Sequence, residues 1–125
     1  MTRILVVDDD VNIQAVLRYR LEAAGHEVVT AADGAEALQI ITTDTPAAVV
    51  LDLMMPLMDG IEVLERMAQD PKLARVPVLV LTARVDKIDT VRSYGTVVVQ
   101  KPFSPRDVTE RIADMLVRER TAAAS

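Results

Sequence analysis

Short apolar runs alternate with longer stretches in which apolar residues return every three or four positions, and the pair repeats five times. The short runs are Arg3 to Val7, Glu27 to Ala31, Ala47 to Leu51, Val78 to Leu81 within an apolar tract that starts at Val76, and Thr96 to Val99. Runs of this length and β-branched character predict strands buried on both faces, as in a parallel sheet. Glu27 to Ala31 is the most polar of the five and is expected near a sheet edge. Between the runs, five helical patterns can be traced: Ile13, Leu17, Leu21 and Ala24; Ala37, Leu38 and Ile41; Ile61, Leu64, Met67 and Ala68; Ile88, Val91 and Tyr94; and Val108, Ile112, Met115 and Leu116. Asp10, Asp33-Gly34, Asp59-Gly60 and Ser104-Pro105 supply helix starts, and Gly25 and Gly95 supply stops. Strict alternation of strand and helix is the pattern of an α/β domain with a parallel sheet. That domain is expected to span residues 1–120, its last helix ending near Arg120, with Thr121 to Ser125 a flexible tail or linker stub.

Composition narrows the chemistry. The 125 residues suffice for one domain with a real core. Tyr19, Tyr94 and Phe103 are its only aromatics, so that core is aliphatic and methionine-rich. The chain has no cysteine, which removes disulfides, thiol catalysis and zinc-thiolate sites together. A net charge of −5 argues against this domain gripping a phosphate backbone by itself. No apolar run approaches the roughly 20 residues of a membrane helix, and none at the N-terminus resembles a secretory signal. A cytoplasmic location is the expectation.

The polar residues gather at the ends of the apolar runs. Asp8-Asp9-Asp10 follows the first, Asp52 the third, Thr82 the fourth, and Gln100-Lys101-Pro102 the fifth. The C-terminal edge of a parallel sheet is where open α/β folds bind ligands. There these residues would place three or four carboxylates, a hydroxyl and an ammonium together, a divalent-cation site beside an anion site. Asp10 is also the natural cap of the first helix. His26 falls outside every such position and is expected at the surface, and Met54, Met55 and Met58 are expected to pack the loop after Asp52.

Asp8-Asp9, Asp52, Thr82-Ala83 and Lys101-Pro102-Phe103, in this order and each at a predicted strand end, resemble the receiver domain of two-component response regulators, the CheY-like family, from about Arg3 to Arg120. The resemblance implies a flavodoxin-like, three-layer (βα)5 fold with strand order 2-1-3-4-5. It implies a phosphoacceptor switch in which Asp52 takes a phosphoryl group from a histidine kinase or histidine phosphotransfer protein. Mg²⁺ is the implied cofactor, held by Asp9 and Asp52, by Asp8 directly or through water, and by the backbone carbonyl of Met54. Thr82 and Lys101 would contact the phosphoryl oxygens. The domain would catalyse its own phosphorylation, and its hydrolysis too, without being an enzyme of external turnover. An output domain or effector, and a phosphorylation-dependent homodimer, are the further partners implied; membrane and direct nucleic-acid contact are not. Met54 and Arg84 flank the site where they would modulate hydrolysis.

Two departures from the family pattern bear on the switch. Val98 stands where the family usually has Tyr or Phe, so no ring can swing there and output is expected to rest on movement of Thr82 to Asp86. The stretch from Thr82 to Lys101 is a few residues short, which predicts a short, shifted or mobile fourth helix. Two other readings compete: a phosphorylation-independent interaction module of the same fold, and a haloacid-dehalogenase-type phosphatase using Asp8-Asp9-Asp10. The first leaves the acid, Thr and Lys set unexplained. The second leaves Asp52 idle and meets Val11-Asn12 where a small Gly-Thr usually follows.

Overall fold

Apolar residues on both sides of each strand need a helix layer on both sides of the sheet, and the computed structural model has that arrangement. It describes residues 2–55 and 58–124. Met1, Pro56, Leu57 and Ser125 lie outside the described residues, and with them the turn expected at Pro56 and the end of the expected tail. The chain runs β1 (Arg3–Val7), α1 (Val11–Ala23), β2 (Glu27–Ala31), α2 (Gly34–Thr43), β3 (Ala48–Asp52), α3 (Gly60–Ala68), β4 (Val78–Thr82), α4 (Ile88–Arg92), β5 (Val97–Gln100) and α5 (Pro105–Ala124). All pairings are parallel and the order is β2-β1-β3-β4-β5, a flavodoxin-like fold with the polar β2 at one edge.

Strand alternation sorts the core into two layers. Leu5, Val7, Val49, Leu51 and Val80 face α2, α3 and α4, meeting Ala37, Ile41, Val63, Leu64, Met67 and Val91. Ile4, Val6, Val50, Leu79, Leu81 and Val99 face α1 and α5, meeting Leu17, Leu21, Val108, Ile112, Met115 and Leu116. Asp10, Asp33 and Asp59 cap α1, α2 and α3, accepting from the N–H groups of Asn12, Glu36 and Glu62. Gly25 and Gly95 take φ of 95° and 78° where α1 and α4 end, a conformation that favours glycine.

Several boundaries differ from the sequence expectation, each for a local reason. β3 and β4 run one residue further, because Asp52 pairs with Leu81 and Thr82 with Gln100 in the parallel ladder. Ala24 caps α1 instead of packing inward and is exposed. α5 continues past Arg120 to Ala124, since no Gly or Pro follows Arg120 and the alanines there favour helix. His26 is half buried rather than on the surface, its Nδ1 2.6 Å from Thr2 Oγ1 beside the N-terminal ends of β1 and β2. α4 is short as expected, five residues preceded by a 3-10 turn at Val85–Lys87. A cavity of about 450 Å³ opens between α3, the N-terminal end of β4 and the α4 exit, lined by Leu64, Met67, Leu73, Pro77, Tyr94 and Thr96 among others. It lies away from the strand-end acids.

The start of α3 lies against the chain that leaves β3. A Cβ on Gly60 would fall 2.9 Å from Leu53 Cα and 3.0 Å from Asp52 O, both backbone atoms that cannot swing away. Gly60→Ala is therefore expected to cost about 1–3 kcal/mol, the range for forced overpacking, and to displace the loop after Asp52. Urea unfolding of the variant checks this; an unchanged midpoint would contradict the contact.

Candidate functional site

The parallel register carries the C-terminal ends of β1, β3, β4 and β5 to one edge of the sheet. Val7 pairs with Leu51, so Asp8 and Asp52 come off adjacent strands side by side. Asp8, Asp9 and Asp52 each offer a carboxylate oxygen, and these oxygens lie within 4.8 Å of one another. Asp10 is not part of the group. It is exposed and its carboxylate accepts from Asn12 N–H at 2.9 Å, so the Asp-x-Asp needed for the phosphatase reading is not assembled.

Asp8 and Asp52 are buried, at 1% and 2% exposure, while Asp9 is exposed. Asp8 Oδ1 accepts from Asp10 N–H at 2.9 Å, but Oδ2 is buried with no hydrogen-bond partner. Burial pushes the Asp8 carboxyl up to about 6; the Asp10 N–H and Lys101 oppose this, and Asp52 and Asp9 add to it. Asp52 is also held above the ordinary carboxylate range, again mainly by burial, against the pull of Lys101. Lys101 Nζ donates to Asp52 Oδ1 at 3.1 Å, and Met54 N–H reaches the same oxygen at 3.3 Å. Asp52 Oδ2 is thereby left to a cation or an electrophile.

Thr82 is fully buried at the end of β4, and its Oγ1 accepts Arg84 N–H at 2.8 Å. The hydroxyl can still donate. Arg84 itself is turned to Asp86, which it holds below the usual carboxylate range. The Lys101–Pro102 peptide is cis, and Phe103 packs against the core between α1 and α5. Met55 and Met58 pack against the opposite core layer as expected, whereas Met54 is exposed at the mouth. Val98 packs against that same layer, as does Tyr94.

One supporting residue was missed by the sequence reading. Gln14 Nε2 donates to Asp8 O at 2.5 Å and to Ala31 O at 3.3 Å, tying the turn after β1 to the end of β2. Its signal was a polar residue three positions before Leu17, on the inward face of α1. Two buried, crowded carboxylates with raised proton affinity and one orphaned oxygen form a set that a hard divalent cation satisfies. The residues present fit such an ion: Asp8, Asp9 and Asp52 would hold it.

Known proteins support the same picture. The family model for the response regulator receiver domain matches residues 4–113. The alkaline phosphatase synthesis transcriptional regulatory protein PhoP of Bacillus subtilis (strain 168) is 42% identical over 126 residues, 98% of this chain and 52% of that protein. A probable transcriptional regulator, ycf27, of Cyanophora paradoxa is 42% identical over 119 residues, 93% of this chain and 48% of the relative. The chain thus spans about half the length of these curated relatives. Among solved structures, a CheY-like response regulator receiver domain protein from Methanospirillum hungatei JF-1 superposes with TM-score 0.90 at 29% identity, covering 98% of both chains. A crystal structure described as a response regulator of Chloroflexus aurantiacus J-10-fl gives TM-score 0.84 at 34% identity, over 93% of this chain and 98% of that one. Among the described residues no helix is long and apolar enough to cross a membrane.

Proposed function

The chain belongs to the response regulator receiver domain family of two-component signal transduction, and from that premise we propose that Asp52 accepts a phosphoryl group from a histidine kinase or histidine phosphotransfer protein. The observation that carries this reading is the placement of Asp52: buried in an acid pair, yet with Lys101 3.1 Å from one of its oxygens. A structural carboxylate would not be left so crowded.

In this reading an Asp52 oxygen bonds to phosphorus as the bond from phosphorus to the donor's histidine nitrogen breaks, and the ring nitrogen leaves with its electron pair. Asp8, Asp9, Asp52 and the backbone carbonyl of Met54 would hold Mg²⁺, which would supply the positive charge that lets an anionic group enter an acidic pocket. Lys101 moves its charge from Asp52 to the phosphoryl oxygens. The Thr82 hydroxyl donates to one of them, and in turning to do so it releases Arg84 N–H, so the 3-10 turn at Val85–Lys87 and α4 shift with it. The half-buried Val98 has no ring to move, which leaves this loop as the route of output. The domain is a switch rather than an enzyme of external turnover. It acts in the cytoplasm on a further domain, an effector or a second phosphorylated copy.

Incubation with acetyl phosphate and intact-mass measurement tests the reading. A gain of one phosphoryl group that requires Mg²⁺ is expected. No gain with acetyl phosphate or with a phosphohistidine donor would overturn it.

A further inference from the structure

The shortness of α4 has left a hollow in the fold. Five helical residues rise only about 7.5 Å, whereas the five residues of β4 extend about 16 Å. α4 therefore cannot cover the whole length of the strand beneath it, and the N-terminal end of β4, at Pro77 and Val78, faces the cavity of about 450 Å³. A hollow of that size falls within the range of small-molecule sites, about 300–1,000 Å³. Leu64, Met67, Leu73 and Val78 of its wall belong to the buried core layer on the α3 side, so a ligand there would meet a dry aliphatic surface.

The polar part of the lining is sparse and asymmetric. Arg75, which ends a 3-10 turn at Leu73–Arg75, is its one cation, and Glu119 from α5 is its one acid. Arg75 is exposed, and among the described residues its side chain makes no ion pair or hydrogen bond, so the guanidinium fork is open to a carboxylate. Glu119 sets the limit on charge, since a second acidic group on the ligand would be repelled there.

We propose that this cavity is an effector site for an apolar monocarboxylate, its aliphatic or aromatic body against Leu64, Leu73 and Val78 and its carboxylate on Arg75, and that occupancy opposes the switch. The coupling rests on the reading of Asp52 as phosphoacceptor; the site does not. Tyr94 and Thr96 form the wall at the α4 exit, and the Thr96 hydroxyl donates to Val91 O at 2.8 Å, tying that wall to α4. The cavity therefore belongs to the conformation in which Thr82 accepts Arg84 N–H, and a shift of α4 moves one of its walls. A ligand that fills it selects this conformation, and by linkage phosphorylation weakens the ligand as much as the ligand disfavours the phosphorylated form.

The test titrates the ¹⁵N-labelled chain with 3-phenylpropionate, 4-methylpentanoate and octanoate, followed by amide NMR shifts. Saturable shifts at Leu64, Leu73, Tyr94 and Gly95 are expected for at least one of them. Arg75→Ala is expected to weaken that probe about fivefold, the scale of one exposed charge pair, and to leave the uncharged 3-phenylpropanol unchanged. Ala68→Phe, at an exposed position on the cavity lining, is expected to abolish binding while the rest of the spectrum persists. No saturable shift with any of the three acids, equal affinity in Arg75→Ala, or undiminished binding in Ala68→Phe overturns the site. Acetyl phosphate with Mg²⁺ is expected to weaken the probe at least fivefold. Unchanged affinity in a sample that intact mass shows to be phosphorylated overturns the coupling. Failure to gain a phosphoryl group from acetyl phosphate or a phosphohistidine donor overturns the reading of Asp52 and the coupling with it, while the titrations still decide the site.

Discussion

Asp52→Asn is expected to take up no phosphoryl group from acetyl phosphate under conditions that label the wild type fully, and to melt at a higher temperature in the absence of divalent ions. The first effect follows from the loss of the nucleophilic carboxylate, since a neutral amide does not attack phosphorus and holds a divalent cation more weakly than a carboxylate does. The second follows from what the folded chain endures without an ion. Asp52 sits at 2% exposure within reach of Asp8 and Asp9, and burial holds its proton affinity above normal. Asparagine keeps the volume and can still accept from Lys101 and Met54, but removes one of the crowded charges. Lys101 is 27% exposed at its side chain and can turn to water, so it is not stranded. A gain of about 1 kcal/mol, which raises Tm by roughly 4 °C in a domain of this size, is the expected scale. Intact mass and thermal melts in EDTA measure the two effects on the same sample. Labelling of the variant at the wild-type level would mean that another residue is the acceptor.

Magnesium and pH are expected to act on stability through Asp8. Its carboxyl ionises near 4 in the unfolded chain and at about 6 in the fold, chiefly because burial disfavours the charge. Between those values the folded state carries a proton that the unfolded state has lost. Raising the pH through that window therefore removes stability, by up to about 3 kcal/mol for a shift of this size. The contribution is present in full below the unfolded value. Asp86 titrates in the opposite sense, its proton affinity lowered by Arg84, so the Asp8 effect is best read as the difference between wild type and Asp8→Asn. That difference is expected to fall as pH rises from 4 to 6 and to level off above 7. Mg²⁺ at a hundred times its Kd should return about 2.7 kcal/mol at pH 7.5 and progressively less below pH 6, where the ion competes with the proton. Equal melting temperatures with Mg²⁺ and with EDTA at pH 7.5 would show that the acids do not hold the ion.

Much of this was legible in the chain. Continuous apolar runs such as Ala47 to Leu51, and the near-3.6 spacing of residues such as Leu17 and Leu21, located the five strands and five α-helices, because burial on both faces of a sheet or along one helix stripe imposes those patterns directly. Aspartates at helix starts announced three caps, since the capping bond spans only two or three residues. The order of Asp8-Asp9, Asp52, Thr82 and Lys101 at strand ends marked the site. What stayed hidden depends on contacts between residues far apart. Asp8 and Asp9 are neighbours of identical chemistry, yet one is buried and the other exposed, and only the register of β1 against β3 decides which. Lys101 and Asp52, 49 positions apart, pair through the ladder β3-β4-β5 rather than through any local signal. The approach of Arg84 to Met54 depends on where the short α4 and its 3-10 turn leave the loop after β4. Local period and capping act within a few residues and so can be read along the chain. Desolvation, ion pairing and loop closure arise only when distant segments share the same space, and those the tertiary structure alone determined.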